Sequence, residues 1–401
     1  MKLACHGSTG SVTSQAPQMN CPRSEYHRKD MITTTEIGQR FGAFGEAILD
    51  ELVRVDWSQP MQASVEELGL AMGSHIGLKR KRNEDRIAVG RIQSLSSEIY
   101  TVAIVCDGVG GSESGDRAAT LAITTVLGEL STQSSWRVLA DLAAHVVRCA
   151  DEVVRKELGG RGTTTLCMFL TSNAGKAACV SVGDSRAYSW GDDADVFQIS
   201  IDDTVENELK GLPGNHDALL NARGLKERLS QAIGEADRSA ADLRIRLHSH
   251  ENFPFGVLLG SDGMWKVAKD FHSIMRNSRT AIDAVRRGIN SANWVGGVDN
   301  ASLIAIDDLK KFCGIAYKQD LQKYCFSLTL WIGSSKVKFL GDRGSKKSEI
   351  GGPEKAKKRP SKIKKMTLDN SELQMEIPVA TKISQETRPV IEVTIDPSEK
   401  K

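Results

Sequence analysis

An apolar run that stops at an aspartate and opens into glycines recurs along this chain, and it constrains the fold more than any other feature. It is clearest where Ile104-Val105-Cys106 gives way to Asp107-Gly108-Val109-Gly110-Gly111. A buried strand that ends in a carboxylate and a side-chain-poor turn is a place to hold a cation or a phosphate, because glycine lets backbone amides and carbonyls come close. The pattern returns at Val182-Gly183-Asp184 and at Leu258-Leu259-Gly260-Ser261-Asp262-Gly263. Another carboxylate stands in Val298-Asp299-Asn300, before the apolar run from Ala301 to Ile306, and one more in Asn83-Glu84-Asp85. A single such aspartate is ordinarily a turn residue. A series of them at successive strand ends is hard to explain as turns alone.

Between these points the period predicts strands over 68–75, 86–92, 98–107, 163–172, 176–183, 185–190, 195–200, 243–248, 255–261 and 301–307. Helical spacing is expected over 116–130, over 136–158 with Gly159-Gly160 as its stop, and over 280–289. A further helix is expected over 33–56, with Thr33 and Glu36 as a capping box and an apolar stripe of Ile37, Phe41, Phe44, Ile48 and Leu52. Such a stripe ordinarily faces a core; a partner-docking face is the sharper alternative. Strands in hairpin order with helices in blocks, not strict alternation, indicate an α+β fold of packed layers.

The flanks differ from this body. Residues 1–30 are polar and aperiodic and read as disordered, with Met31 a second candidate start; residues 31–67 form a helical lead-in, 68–309 the main domain, and 310–401 a mostly disordered charged tail. Within that tail, residues 336–365 hold twelve Lys/Arg against three Asp/Glu, and residues 366–401 lean acidic. The cluster from Lys355 to Lys365 lacks aromatics for base stacking, which disfavours a nucleic-acid role. The formal net charge is only +2, so no global field attracts nucleic acid. The eight cysteines make no CxxC pair, as expected of small hydrophobes in a reducing compartment. No apolar run has signal-peptide or membrane-spanning form, so a cytoplasmic protein with no membrane role is expected.

The strand-end carboxylates suit a hard divalent cation, Mg²⁺ or Mn²⁺, which takes oxygen ligands. The candidates are Asp85, Asp107, the carbonyl of Gly108, Asp184, Asp262 and Asp299, and no His or Cys belongs to the turns, which argues against zinc. Converging carboxylates repel one another unless cations neutralise them, and two ions roughly 3.5–4 Å apart would do so while activating water for in-line attack on phosphorus. Phosphate needs a cationic partner, and Lys79-Arg80-Lys81-Arg82 precedes Asn83-Glu84-Asp85. For most of those four the plain reading is a solvated turn.

Taken in order, these segments resemble the PPM family, the PP2C-type metal-dependent serine/threonine protein phosphatases, in its bacterial form. They are Gly77 to Asp85, Cys106 to Gly111, Gly162-Thr163-Thr164, Gly183-Asp184-Ser185-Arg186, Leu229 to Gly234, Ser261 to Trp265 and Asp299 to Ser302. The resemblance covers about Leu68 to Leu309. It implies a four-layer α-β-β-α sandwich of two antiparallel sheets with metals in a cleft at one end. Asp107 would bridge two ions and Gly108 would add its carbonyl. Asp262 and Asp299 would hold one ion, Glu84 and Asp85 would act directly or through waters, and Asp184 would serve a third, weaker ion where one is present. Arg80 matches the phosphate-binding arginine. Asp107, Asp262 and Arg80 would then carry the chemistry.

Two departures stand out. Val109 occupies the position of a histidine proposed as general acid in many eukaryotic members, so that role is unassigned, with a metal-bound water as a candidate. Asp202-Asp203-Thr204 replaces the family's Asp-His-Ser, ahead of a variable flap over Val205 to Lys226. By the same resemblance, the expected partners are phosphorylated proteins and a cognate Ser/Thr kinase, and the chain is expected to be a monomer. The competing reading is a catalytically silent, phosphatase-like binding or regulatory module whose basic tail engages a partner or nucleic acid.

Overall fold

The computed structural model describes residues 35–93, 98–109, 114–132, 136–191, 196–210, 225–248, 256–266, 270–314, 324–342 and 390–393. The expected disorder of residues 1–30, the capping Thr33, most of the flap and the Lys355–Lys365 cluster lie outside these residues.

Among the described residues, fourteen strands form two antiparallel sheets. The smaller runs β1 (Met61–Val65), β2 (Leu70–His75), β11 (Ala301–Ile306), β10 (Gly256–Gly260), β7 (Arg186–Trp190), β8 (Phe197–Gln198). The larger runs β14 (Val390–Val393), β13 (Ser335–Asp342), β12 (Tyr324–Ile332), β3 (Arg86–Gln93), β4 (Ile99–Cys106), β5 (Leu166–Ser172), β6 (Ala177–Val182), β9 (Arg246–His248). Helices α2 (Gly115–Thr132) and α3 (Leu139–Leu158) cover the outer face of the larger sheet, and the helix Ala281–Trp294 covers the smaller. The chain is thus α+β with helix, sheet, sheet and helix layers, as expected.

Alternation along the small-sheet strands shows how the layers are held. Met72, Leu259, Ile304 and Ile306 face the core between the sheets. Their neighbours Ala71, Leu258, Leu303 and Ala305 face the helix Ala281–Trp294. Side chains of successive strand residues point to opposite faces, so a sheet covered on both sides reads as a continuous apolar run. Helix α2 is buried nearly all round, and it tolerates hydroxyls because Thr124, Thr125 and Ser131 donate to carbonyls one turn back, at 2.8–2.9 Å.

Helix α1 (Glu36–Arg54) buries Ile37, Phe44, Ile48 and Leu52, so the expected stripe faces the core of the molecule. It packs on α2 and reaches β12 and β13. There Phe44 meets Phe326 edge-on at 4.6 Å and Phe339 at 6.0 Å. β12 pairs with β3, so the large sheet continues past the boundary expected at Leu309, into the segment read as a mostly disordered tail. The local signal for this hairpin is Gly333-Ser334 between Ile332 and Ser335, followed by alternating Lys336, Val337, Lys338 and Phe339. The excess of Lys/Arg beyond residue 335 hides that alternation. Strand β1 also falls outside the strands that the period predicts.

Phe44→Ala should lower the free energy of unfolding by about 3 kcal/mol, as deletion of a buried aromatic side chain does. Urea denaturation of the purified chain measures it. An unchanged midpoint would mean that α1 does not hold β12 and β13 to the body.

Candidate metal centre

Strand register gathers the acidic turns at one end of the molecule. In the small sheet Gly260 pairs with Arg186, and Ala301 pairs with His75. In the large sheet Arg86 pairs with Cys106, and Leu166 with Val182. The turns carrying Glu84-Asp85, Asp107-Gly108, Asp184, Asp262 and Asp299 all leave from these paired ends, so antiparallel pairing gathers the turns of each sheet.

The Asp107 turn is strapped by the threonines of β5's approach. Thr165 N and Thr164 Oγ1 both donate to the Asp107 carbonyl, at 2.8 and 2.9 Å, and Asp107 N donates to Thr165 Oγ1 at 3.0 Å. Gly108 N donates to the Glu84 carbonyl at 3.2 Å. A Cβ at Gly108 would lie 2.4 Å from the Gly115 carbonyl carbon, where α2 begins, so only glycine lets the helix approach. At Gly263 a Cβ would lie 1.9 Å from the Asn300 carbonyl oxygen, which fixes the same requirement in the Asp262 turn.

The two sheets are stitched at this end by buried polar groups. Ser261 Oγ donates to Asp85 Oδ2 at 2.7 Å and accepts from Ser302 N at 3.0 Å. Asn300 Oδ1 accepts from Glu84 N at 2.8 Å, while its Nδ2 donates to the carbonyls of Ile76 and Arg82. Asn83 Nδ2 donates to Ser74 Oγ and to the Trp57 carbonyl. The sequence marks Asn83, Asn300 and Ser261 only as parts of motifs. In the fold they fix the carboxylates on either side.

The carboxylates act on one another. Burial first, then Asp262, Asp85, Asp184 and Asp299, pushes the Asp107 carboxyl well above the usual range. Burial, aided by Asp262 and Asp299, pushes Asp85 up to about 7. Burial and Asp262 push Asp184 up to about 6, against the pull of Lys266. Burial also raises Glu84. This is the electrostatics of a site short of positive charge.

Arg80 lies at the rim, donating from Nη2 to Asp299 Oδ2 at 2.7 Å with Nη1 3.9 Å from Glu84 Oε2. Burial pulls its pKa down, but Asp299 and Glu84 outweigh that and hold it above the usual value. Lys79, Lys81 and Arg82 are exposed, in keeping with a solvated turn. Inside the mouth, Lys266 reaches both Asp184 and Asp262, a residue to which the sequence reading gives no role. Asp203 is buried and bonded by Gly183 N at 3.0 Å and by Gln231 Nε2 at 2.8 Å, so it braces the Asp184 turn.

The donor set fits hard divalent ions. It is all oxygen, and the buried Asp85 Oδ1 has no hydrogen-bond partner. Among the described residues, the one triple of donors within 4.8 Å of each other is Glu129, His145 and Cys149, on α2 and α3. There the Arg40 guanidinium already engages Glu129 and donates to Cys149 Sγ at 3.0 Å. The strand-end carboxylates stand wider apart, with Arg80 and Lys266 answering their charge. Beside them, a cavity of about 470 Å³ is lined by Arg186, Glu206, Lys210, Lys226, Trp265 and Lys266. It borders the described start of the flap, the helix Val205–Lys210.

No family model matches the chain. It is 26% identical over 250 residues to the serine/threonine phosphatase stp of Listeria innocua, across 58% of this chain and 92% of that protein. It is 23% identical over 248 residues to the protein phosphatase PhpP of Streptococcus pneumoniae, across 59% and 96%. Its fold is similar to the crystal structure of serine/threonine phosphatase Stp1 from Staphylococcus aureus, with a TM-score of 0.50, 18% identity, and coverage of 62% and 97%. Ordered motifs, two stacked antiparallel sheets with their acidic turns at one end, and these relatives converge, and the chain is similar in sequence and in fold to bacterial serine/threonine phosphatases of the PPM (PP2C) type.

Proposed function

We propose that the chain hydrolyses phosphoserine and phosphothreonine on proteins at this mouth, using a pair of Mn²⁺ or Mg²⁺ ions. The observation that carries the reading is the convergence of Asp85, Asp107, Asp184, Asp262 and Asp299 from separate turns into one mutually repelling group, with a cationic fork at its rim. Asp107, the Gly108 carbonyl, Asp262 and Asp299 are the residues that would hold the ions, with Glu84 and Asp85 behind them. When bound, such ions neutralise the carboxylates and lower the pKa of water, so that hydroxide is available near neutral pH for in-line displacement at phosphorus. The chain itself supplies position and charge. Arg80 offers a second donor edge to the phosphoryl oxygens once its hold on Asp299 is shared with the ions. The strapping of Asp107 by Thr164 and Thr165 fixes the backbone from which its carboxylate projects. A phosphoprotein made by a Ser/Thr kinase in the same compartment, the cytoplasm, is the matching substrate. Among the described residues no helix is long and apolar enough to cross a membrane.

One observation favours the silent-module reading: the ion pairs of Lys266 and Arg80 already answer part of the acidic charge. The same assay decides both. A phosphothreonine peptide should release phosphate with added Mn²⁺ and stop on addition of EDTA. Metal binding with no turnover on any phosphopeptide would favour the module.

A further inference from the structure

Asp184 and Asp262 leave different turns, one between β6 and β7 and one after β10, yet each aims a carboxylate oxygen at the same point. That point is Lys266 Nζ, 2.9 Å from Asp184 Oδ2 and 2.6 Å from Asp262 Oδ2. Lys266 is placed there by the short helical turn that Asp262 opens, where Lys266 N donates to the Asp262 carbonyl at 2.9 Å. Its side chain is 22% exposed and that of Asp184 only 4%. The Trp265 ring lies 5.3 Å from Nζ, and the Arg186 guanidinium covers that ring at 3.2 Å while pairing with Asp202. The ammonium is therefore held in place by packing on one side and by two carboxylates on the other.

We propose that Lys266 is a built-in cation that fills the position between Asp184 and Asp262, so that this chain's centre takes two divalent ions and no third. This rests on the two-ion reading above and deepens it. A Mg²⁺ ion binds oxygen at about 2.0–2.1 Å and a larger ion at somewhat more, so an ion reaching both carboxylates would have to sit where Nζ sits. It could enter only by driving the ammonium out of its paired site. A lysine also supplies one charge where an ion supplies two. Its N–H donors are directional, it stays through chelation, and it sits on the wall of the adjoining cavity, where a phosphoprotein segment would pass. Lys266 is thus a positioning residue. It holds Asp262 by one oxygen and leaves the other for an ion.

Counting bound Mn²⁺, by the electron paramagnetic resonance of the free ion and by calorimetry, tests this without reference to turnover. The wild-type chain should bind two ions and Lys266→Ala should bind three, the third the weakest; Lys266→Arg should bind two. Asp184→Asn, which leaves the backbone in place, should still bind two and serves if Lys266→Ala does not fold. Three ions in the wild type, two in folded Lys266→Ala, or fewer than two in Asp184→Asn would overturn the proposal and leave the phosphatase reading standing. A wild-type chain that binds no Mn²⁺ would remove the metal-centre reading itself.

Discussion

Asp107→Asn should lower kcat/KM for a phosphothreonine peptide by about a thousandfold while leaving the chain folded. Asp107 feels all of Asp262, Asp85, Asp184 and Asp299, so it stands within the charge to be neutralised. Removing its charge should weaken the hold on both ions at once. A thousandfold corresponds to about 4 kcal/mol of transition-state stabilisation, in the range seen when one preorganised electrostatic group is lost. The amide keeps the shape, and the bonds that strap the turn run through the backbone and survive the change. The second half of the expected result is opposite in sign: without metal, Asp107→Asn should be at least as stable as the wild type, because a repelling carboxylate has gone. A structural aspartate would behave the other way, losing stability with activity. Thermal denaturation in EDTA beside steady-state kinetics in Mn²⁺ reads both. Retention of full turnover would remove Asp107 from the centre.

Much of this end of the molecule can be read from the sequence because each acidic turn carries a local mark. An apolar strand stops, a carboxylate follows, and a glycine stands where another backbone passes, as at Gly108 and Gly263. The sheets follow from period and hairpin order. The parts that escape a sequence reading share a different cause: their role exists only after distant segments meet. Asn83 and Asn300 are ordinary turn residues until each is seen bonding across to a neighbouring segment. Lys266 is four residues after Asp262, a spacing that pairs charges on a helix, and that half of its partnership is open to inspection. The Asp184 half is not, since it depends on the β6–β7 turn arriving at the same place. The β12–β13 hairpin is hidden for a third reason. Its inward Val337 and Phe339 are interleaved with Lys336 and Lys338, so a composition window sees charge where the pleat sees alternation.

The metal-free chain should lose stability at Asp85 as pH rises between about 4 and 7, and Mn²⁺ should remove that loss. Asp85 is buried, and its carboxyl is raised from 3.8 to about 7, chiefly by burial. Between those values the folded chain keeps a proton that the unfolded chain has released, so raising the pH draws the equilibrium toward the unfolded state. Fully present below pH 4 and gone above 7, the effect is on the order of a few kcal/mol, since a tenfold difference in proton affinity between the folded and unfolded chain is worth about 1.36 kcal/mol. Asp184, raised to about 6, adds the same sign over a narrower window. Two histidines oppose it: His75 and His248 are both lowered by burial, so they favour the fold as pH rises through their range. The comparison that isolates the carboxylate is wild type against Asp85→Asn, by urea denaturation in EDTA at pH 5, 6 and 7.5. The difference in stability should swing toward the variant as pH rises. With Mn²⁺ at a hundredfold over its dissociation constant, the wild type should gain about 2.7 kcal/mol per site, because bound ions hold the carboxylates ionised. The gain should shrink toward pH 5, where protons compete. A difference between wild type and variant that stays flat across this range would mean that Asp85 is not held protonated in the metal-free fold, and the view of this mouth as an acidic cluster awaiting cations would lose its electrostatic basis.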